Sequence, residues 1–284
     1  MYDVVIIGAG PAGISASLYA KRANLNVLVL YHGESNLEKA TKIDNYYGFS
    51  DGIEGKELYI NGIEQAKKIG VQVKESEVIG IETLGETYNI KTVDENFETR
   101  TVILSTGNKK IKPNIKGIDE FEGKGISYCA ICDAFFYRNK TVAVIGNGKF
   151  ALNEAEELSH VARKVIIVTD GLEEPKCNFE VISNRINSIA GDTKVRNIEF
   201  EDGSKLEIDG IFIALGEAGA IDFAKTLGIL QEDDNIKVNE KMETNVKGIY
   251  ACGNVTGGLL QVCKAVYEGA KAGLSAVEYI RKGD

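Results

Sequence analysis

Two cysteines three positions apart, followed directly by an acid, are the residues of this chain best suited to do chemistry. They are Cys129 and Cys132, and the acid is Asp133. Thiols at this spacing can close a small disulfide and reopen as a dithiol, and the adjacent carboxyl group can supply or hold a proton as thiolates form and disappear. Asp133 could instead cap a helix, a role compatible with acid catalysis. The motif predicts catalytic redox chemistry at these three residues.

Half of a zinc site is the alternative interpretation of a C-x-x-C pair. The chain has no second C-x-x-C, and His32 and His160 are isolated, so four ligands are not available. We therefore expect no metal. The other cysteines, Cys177, Cys252 and Cys263, are expected to be ordinary thiols.

A glycine-rich turn lies near the start of the chain, between the apolar segment 2–7 and a helical pattern over 14–22. Gly8 permits a tight turn, Gly10 lets the backbone approach a pyrophosphate, and Gly13 allows close packing of helix and strand. The segment 27–30 completes a βαβ unit that predicts dinucleotide binding, although a simple packing turn has the same pattern. The acid that usually follows the second strand is displaced here to Glu34, which is the candidate for a contact with the ribose.

A second βαβ unit follows the cysteines, with strands at 141–145 and 164–168, a glycine turn at 146–151 and a helix at 152–160. A strand over 210–216, a strand and turn over 248–255 and a helix over 261–281 follow. The last strand and helix are typical of pieces that complete a flavin domain. We therefore predict an α/β protein of two Rossmann-type, three-layer domains, with residues 1–113 and 246–284 forming a discontinuous first domain and 114–245 the second.

Composition narrows the possible functions. The chain has 284 residues, 44% of them hydrophobic, and no apolar run approaches the roughly 18–20 residues of a membrane span. Five cysteines, two of them in a C-x-x-C, predict a cytoplasmic redox enzyme rather than a secreted disulfide-stapled domain. The net charge of −9 argues against nucleic acid or an anionic membrane as a partner.

Taken together, these motifs closely resemble the low-molecular-weight thioredoxin reductases along nearly the whole chain. The matching segments are Gly8-Ala9-Gly10-Pro11-Ala12-Gly13, Asp44-Asn45-Tyr46-Tyr47-Gly48-Phe49, Ser105-Thr106-Gly107, Cys129-Ala130-Ile131-Cys132-Asp133, Phe136-Tyr137-Arg138-Asn139-Lys140 and Ala251-Cys252-Gly253-Asn254-Val255. The resemblance implies FAD in the first domain, a homodimer, and electron flow from flavin through a Cys129–Cys132 disulfide to thioredoxin. It implies that Cys132 faces the flavin, that Cys129 attacks the partner and that Asp133 is the acid-base residue.

The same resemblance implies the residues that bind FAD. They are Gly8, Gly10, Pro11, Ala12, Gly13, Asn45, Thr106, Gly107, Gly253, Asn254, Gln261 and Val262. Asn254 stands where the family has an acid, and its amide oxygen can still accept a hydrogen bond from the ribityl chain, but without charge. Leu260 replaces the arginine that opens the family's last helix.

The second glycine turn departs from the family in ways that bear on the electron donor. NADPH-dependent members carry a basic stretch after the second strand of this unit, whereas this chain has Asp170, Glu173 and Glu174 there. Each unpaired acid close to a 2′-phosphate would repel it by roughly 1 kcal/mol or more. Phe150 in the turn is expected to obstruct a nicotinamide nucleotide. NADPH is therefore disfavoured.

Two electron donors remain. NADH is the alternative, since Asp170 could accept a ribose hydroxyl. The preferred interpretation is a resemblance to the ferredoxin-dependent flavin thioredoxin reductases, which lack a working pyridine-nucleotide site and take single electrons from reduced ferredoxin. Docking of an acidic ferredoxin would need a basic patch, for which the candidates are Lys39, Lys42, Lys109, Lys110 and Lys112. A different class of function, a flavin-bearing redox sensor or binding protein without turnover, remains open.

Overall fold

A computed structural model describes residues 1–107, 113–128, 130–216, 219–232 and 235–283, apart from the side chains of Lys39, Ile131 and Cys132. The chain divides into two compact units, one made of Met1–Lys109 with Gly219–Asp284 and the other of Lys110–Ala218. The α/β class with a discontinuous first domain is therefore confirmed.

The N-terminal part of the first unit alternates strands and helices and then turns to antiparallel strands. Its elements are β1 (Tyr2–Ile7), α1 (Pro11–Arg22), β2 (Val27–Tyr31), a 3₁₀ helix (Asn36–Lys39), α2 (Gly55–Lys68), β3 (Gln72–Glu75), β4 (Val78–Leu84), β5 (Thr87–Thr92) and β6 (Asn96–Leu104). The inner strands β1 and β2 contain the continuous buried apolar runs 4–7 and 27–30, as expected where both faces of a parallel sheet are covered.

The second unit carries the C-x-x-C motif. Its elements are α3 (Ile118–Phe121), β7 (Ile126–Ser127), α4 (Ala130–Asp133), a 3₁₀ helix (Ala134–Tyr137), β8 (Thr141–Ile145), α5 (Lys149–Ser159), β9 (Lys164–Val168), β10 (Glu180–Ile182), β11 (Ile186–Gly191), β12 (Val195–Phe200), β13 (Lys205–Glu207) and β14 (Gly210–Ile213). A parallel sheet has the order β10-β9-β8-β14-β7, and β11, β12 and β13 form a separate antiparallel sheet.

The chain then returns to the first unit. The remaining elements are α6 (Ala220–Thr226), β15 (Gln231–Glu232), β16 (Asn235–Ile236), β17 (Ile249–Ala251), a 3₁₀ helix (Gly253–Thr256) and α7 (Val262–Gly283). Strand β17 pairs in parallel with β6, which completes the parallel order β3-β2-β1-β6-β17.

The strand register of the first unit brings three turns to one edge. Ile7 pairs with Leu104, and Leu104 pairs with Ala251, so β1, β6 and β17 end level with one another. The residues that follow are those of the first glycine turn, the segment 105–107 and the turn at 253–257. Because ligands of open α/β sheets bind at the carboxyl ends of the strands, this edge is where a nucleotide cofactor is expected.

Small residues allow α1 and α7 to pack backbone to backbone. A side chain at Gly269 would collide with the backbone of Ala12, and one at Gly273 would collide with the backbone of Ala16. The apolar core of the first unit lies on this helix pair and on β1 and β2. The C-terminal helix therefore stabilises α1, whose first turn belongs to the glycine motif.

The second crossing between the units falls earlier than the sequence placed it. Residues 219–245 were assigned to the second domain, but they pack with the first unit. The backbone N–H of Ala220 donates to Thr106 Oγ1 at 3.0 Å, Met242 lies in the core beside α1, and Asn235 lies against Gly257. Contacts between residues far apart in the chain leave no local signal in the sequence. The apolar strand that begins at 248 does leave one, so the boundary was placed just before that strand.

No helix among the described residues is both long enough and apolar enough to span a membrane.

Candidate active site

The first glycine turn has the geometry that its sequence predicted. Gly8 has φ 111°, and a side chain there would collide with the carbonyl of Ser105. A side chain at Gly13 would collide with the carbonyl of Gly8, so both glycines are required for packing. Gly10 is different, because among the described residues no atom beyond its two chain neighbours lies within 4 Å of where its Cβ would be. The packing interpretation therefore explains Gly8 and Gly13 but leaves Gly10 for a ligand.

The start of α1 suits a bound anion. Gly10 is the residue before the helix and provides no capping side chain, Pro11 is the first helical residue, and the first turn contains no acid. The N-terminal N–H groups of a helix need acceptors, and the helix dipole favours negative charge at this end. The residues present thus fit the pyrophosphate of FAD, with Ala12 and Gly13 continuing the same turn.

A buried ion pair that the sequence analysis missed holds the turn after β17. Glu268 Oε2 accepts hydrogen bonds from the Gly253 N–H and the Thr256 hydroxyl, both at 2.9 Å. Lys264 Nζ lies 3.1 Å from the same carboxylate and donates to the Gly253 carbonyl and to Thr256 at 2.9 Å. The two side chains are only 14% and 12% exposed. Their i,i+4 spacing on an otherwise apolar helix face was the available signal.

The other residues predicted to bind FAD also lie in the first unit. Gly253 has φ 83°, and a side chain there would meet Ala12 Cβ at 2.8 Å, so two predicted positions come together. Asn45 and Gln261 also meet, since Asn45 Nδ2 donates to Gln261 Oε1 at 3.0 Å. Thr106 accepts from Ala220 as described above, Gly107 has φ 74°, Asn254 is half-buried and Val262 begins α7. Their roles toward FAD stay predictions.

The second glycine turn keeps a dinucleotide-type shape but is bridged. Gly146 has φ 151°, and a side chain there would collide with the carbonyl of Ala214. The side-chain amide of Asn147 donates to the carbonyl of Glu173 at 3.1 Å and so connects the turn to the loop after β9. Glu174 of this loop accepts a hydrogen bond at 2.9 Å from the hydroxyl of Ser183, which follows β10.

Phe150 and Asp170 lie differently in the structure than the sequence predicted. Phe150 does not obstruct it, because the ring is 5% exposed and packs in the core formed by α5 and the parallel sheet. Its position as the second residue of α5 turns it toward the sheet rather than the ligand side. Asp170 accepts the Ile186 N–H at 2.6 Å, so at least one of its oxygens serves the fold.

The C-x-x-C segment is described in part. Cys129 and the Cys132 side chain lie outside the described residues, so the predicted disulfide stays a prediction. Asp133 is half-buried and provides no capping hydrogen bond to the 3₁₀ helix that follows it. Burial, followed by the nearby carboxylates of Asp133 and Asp209, raises the pKa of Tyr137. Asp133 therefore influences the Tyr137 phenol and does not cap the helix that follows it.

The backbone of this segment contacts α5 through an acid that the sequence analysis did not single out. Glu154 is 7% exposed, and its Oε2 accepts the Ala130 N–H at 2.6 Å. Ala130 itself is fully buried beside Ala151 and Ala155.

The three remaining cysteines are free thiols in different settings. Cys252 is fully buried, Cys177 is half-buried and Cys263 is exposed. Burial, with a smaller contribution from Glu268, raises the pKa of the Cys252 thiol. Cys252 is therefore a protonated and unreactive thiol at neutral pH.

Comparison with known proteins agrees with this geometry. The pyridine nucleotide-disulphide oxidoreductase family matches residues 2–269. A thioredoxin reductase from Aquifex aeolicus is 36% identical over an alignment of 302 positions, which covers 99% of this chain and 94% of that protein.

Two solved structures are also similar. The atypical thioredoxin reductase TRi from Desulfovibrio vulgaris Hildenborough has 38% identity and a TM-score of 0.95, with 99% of each chain covered. A ferredoxin-flavin thioredoxin reductase from Clostridium acetobutylicum has 38% identity and a TM-score of 0.74, with 99% of this chain and 98% of that chain covered. The chain therefore belongs to the pyridine nucleotide-disulphide oxidoreductase family and, within it, to the thioredoxin reductase flavoproteins, whose cofactor is FAD.

Proposed function

We propose that this protein reduces thioredoxin with electrons from reduced ferredoxin, which pass through FAD and a Cys129–Cys132 disulfide. The observation that carries the choice of donor is the hydrogen bond from Asn147 to Glu173 in the second unit. The similarity to a ferredoxin-flavin thioredoxin reductase and to an atypical thioredoxin reductase supports the proposal.

The bridge lies where a pyridine nucleotide would need space. In a Rossmann unit the pyrophosphate lies over the glycine turn and the adenosine ribose lies beside the end of the second strand. Asn147 connects these two places, so a ribose would have to break the contact before it could bind. Asp170, Glu173 and Glu174 also follow that strand in the chain, and their negative charge opposes a 2′-phosphate.

The proposed disulfide exchange uses the chain's own residues. Bound FAD supplies the ability to collect single electrons and release them in pairs. Two electrons and two protons open the Cys129–Cys132 disulfide to the dithiol. The Cys129 thiolate then attacks a sulfur of the thioredoxin disulfide, and Cys132 attacks the resulting mixed disulfide, which restores the enzyme disulfide and releases thioredoxin with two thiols. Asp133 holds or supplies the proton during these steps.

A protein substrate suits the surface next to the motif. Phe135 and Phe136 are 73% and 66% exposed and contact each other edge to face. Arg138 lies over the Phe135 ring. Exposed aromatic pairs of this kind are typical of protein contact surfaces rather than of small-molecule pockets.

The basic patch predicted for ferredoxin stays a prediction. Lys42 is exposed and pairs with Asp44 at 2.9 Å, which offsets its charge. Lys109, Lys110 and Lys112 lie outside the described residues, as does the Lys39 side chain. A homodimer, which the resemblance implies, and a cytoplasmic location, which the cysteine usage predicts, remain part of the proposal.

The second candidate function is an NAD(P)H-dependent thioredoxin reductase. It is favoured by the retained shape of the second glycine turn. Gly148 precedes α5 without a capping side chain, and the first turn of α5 contains no acid, so this helix start could accept a phosphate.

Anaerobic bleaching of the flavin distinguishes the two donors. The purified protein is mixed separately with NADPH, NADH and reduced ferredoxin that has been freed of its chemical reductant, and oxidised ferredoxin is the control. We expect loss of the flavin absorbance with reduced ferredoxin alone, followed by thioredoxin reduction. Rapid bleaching by either nicotinamide nucleotide would overturn the proposal and favour the second candidate.

A further inference from the structure

We infer that Glu154, which belongs to no motif, is a positioning residue for the dithiol and keeps it strongly reducing through its negative charge. The inference rests on the proposed function, because it requires that Cys129 and Cys132 cycle between disulfide and dithiol.

The contact joins Glu154 to the backbone of the motif itself. Its Oε2 accepts the N–H of Ala130 at 2.6 Å, and that nitrogen belongs to the peptide bond between Cys129 and Ala130. Such a short hydrogen bond from a backbone N–H to a carboxylate is of the charge-assisted kind. The acid therefore contacts the backbone nitrogen of the residue that directly follows the first cysteine in the chain.

An acid at the buried position 154 contributes something that a neutral side chain would not. Glu154 is 7% exposed and is flanked on α5 by Ala151 and Ala155, which pack with Ala130 in one apolar cluster. A carboxylate is costly to bury, and a neutral amide could accept the same hydrogen bond. What the acid adds is a negative charge in a place of low dielectric, where charges interact strongly.

That charge acts on the reduced state of the motif. A dithiol releases a proton to form the reactive thiolate, and a nearby negative charge disfavours the thiolate. A stabilised thiolate makes the corresponding disulfide more oxidising. Destabilisation of the thiolate therefore makes the dithiol a stronger reductant. A strong reductant is what the delivery of electrons to thioredoxin requires.

Redox titration against glutathione measures this effect directly. In the balanced reaction the enzyme disulfide gains two electrons and two protons, and two reduced glutathione molecules lose them to become one glutathione disulfide. After equilibration without oxygen the thiols are blocked with N-ethylmaleimide. The peptide that contains residues 129–132 is then quantified by mass spectrometry, which separates it from the other three cysteines.

Three variants isolate the charge. Glu154→Gln keeps an acceptor for Ala130 but removes the charge, and we expect its equilibrium constant to shift about tenfold toward the dithiol, ~30 mV in potential. Glu154→Asp keeps the charge on a shorter side chain, and its constant should stay within about twofold of the wild type. Glu156→Gln removes an equal charge from the exposed face of the same helix and should leave the constant unchanged.

Either of two results would overturn the inference. One is an unchanged constant in folded Glu154→Gln, and the other is a shift in Glu154→Asp as large as that in Glu154→Gln, which would show that the contact matters and the charge does not. Failure of the proposed function would look different, because the wild-type peptide would then show no glutathione-dependent interconversion. The electron donor plays no part in the measurement.

Discussion

The side-chain amide of Asn147 donates to the backbone carbonyl of Glu173, and this hydrogen bond connects the second glycine turn with the loop after β9. A glycine turn leaves the space above it open for a pyrophosphate, so a side chain that reaches across it replaces part of what a ligand would contact. The contact supports the proposal that the second unit does not use a pyridine nucleotide, as do the acids Asp170, Glu173 and Glu174.

Removal of the Asn147 hydrogen bond, together with reversal of two charges in the adjacent loop, should increase the affinity for NADPH. In the variant Asn147→Gly with Glu173→Arg and Glu174→Arg, the bridge is lost and two acids become phosphate partners. We expect NADPH to bind at least about tenfold more tightly than to the wild type, measured by isothermal titration calorimetry. The control variant, Glu201→Arg with Glu207→Arg, makes the same charge change at exposed positions of the second unit. An equal gain in the control would attribute the effect to net charge and contradict the prediction.

The two cysteines should respond differently to substitution. Cys129→Ser should keep reduction of the flavin but lose thioredoxin turnover, because the attacking thiolate is gone. Cys132→Ser should accumulate a mixed disulfide between Cys129 and thioredoxin, because the resolving thiol is gone. Non-reducing gels followed by mass spectrometry identify the adduct, and Cys263→Ser at an exposed position is the control. The assigned order would be reversed if the Cys129→Ser variant formed an adduct on Cys132 and the Cys132→Ser variant formed none on Cys129.

The sequence predicted the features that have a local cause. Both βαβ units follow from apolar runs and glycine turns, and the roles of Gly8 and Gly13 follow from the turn geometry. What it missed depends on distant contacts. Glu154 and Ala130 are 24 positions apart, and the helical pattern of α5 gave no indication that this acid is buried. Phe150 was misjudged for a related reason, since the direction of a side chain at a helix start depends on the sheet behind it.

Lys264 and Glu268 should contribute strongly to the stability of the first unit. Lys264→Met leaves the Glu268 carboxylate largely buried without its cation, a change that costs about 3 kcal/mol at buried pairs. For a protein of this size the Tm should fall by about 6 °C or more, and FAD should dissociate more readily because the pair fixes the Gly253 turn.

Differential scanning fluorimetry and the release of flavin fluorescence measure both effects. Lys241→Met is the matched control, because it breaks the exposed ion pair with Glu278 on the same helix and should cost less than about 1 kcal/mol. The double variant Lys264→Met with Glu268→Leu should regain part of the lost stability, since it leaves no unpaired charge. Equal Tm values for Lys264→Met and Lys241→Met would contradict this account.

Gly10 allows the loss of FAD to be separated from the loss of the fold. In the part of the chain that the structure describes, no atom other than those of its two neighbours lies within 4 Å of where a Gly10 Cβ would be, and the backbone there has an ordinary φ of −69°. Gly10→Ala should therefore fold with an unchanged Tm after FAD has been removed, but it should bind FAD at least tenfold more weakly because the methyl group occupies the approach of the pyrophosphate.

Two other glycines are the controls for Gly10. Gly13→Ala collides with the Gly8 carbonyl and should lower the Tm of the FAD-free protein as well, whereas Gly62→Ala in α2 makes only an ordinary contact with Ile14 and should be neutral or slightly stabilising. Flavin content after gel filtration and Tm with and without FAD give the comparison. If Gly10→Ala retained its full flavin content, the pyrophosphate could not approach the backbone at this residue, and the start of α1 would be a packing turn alone.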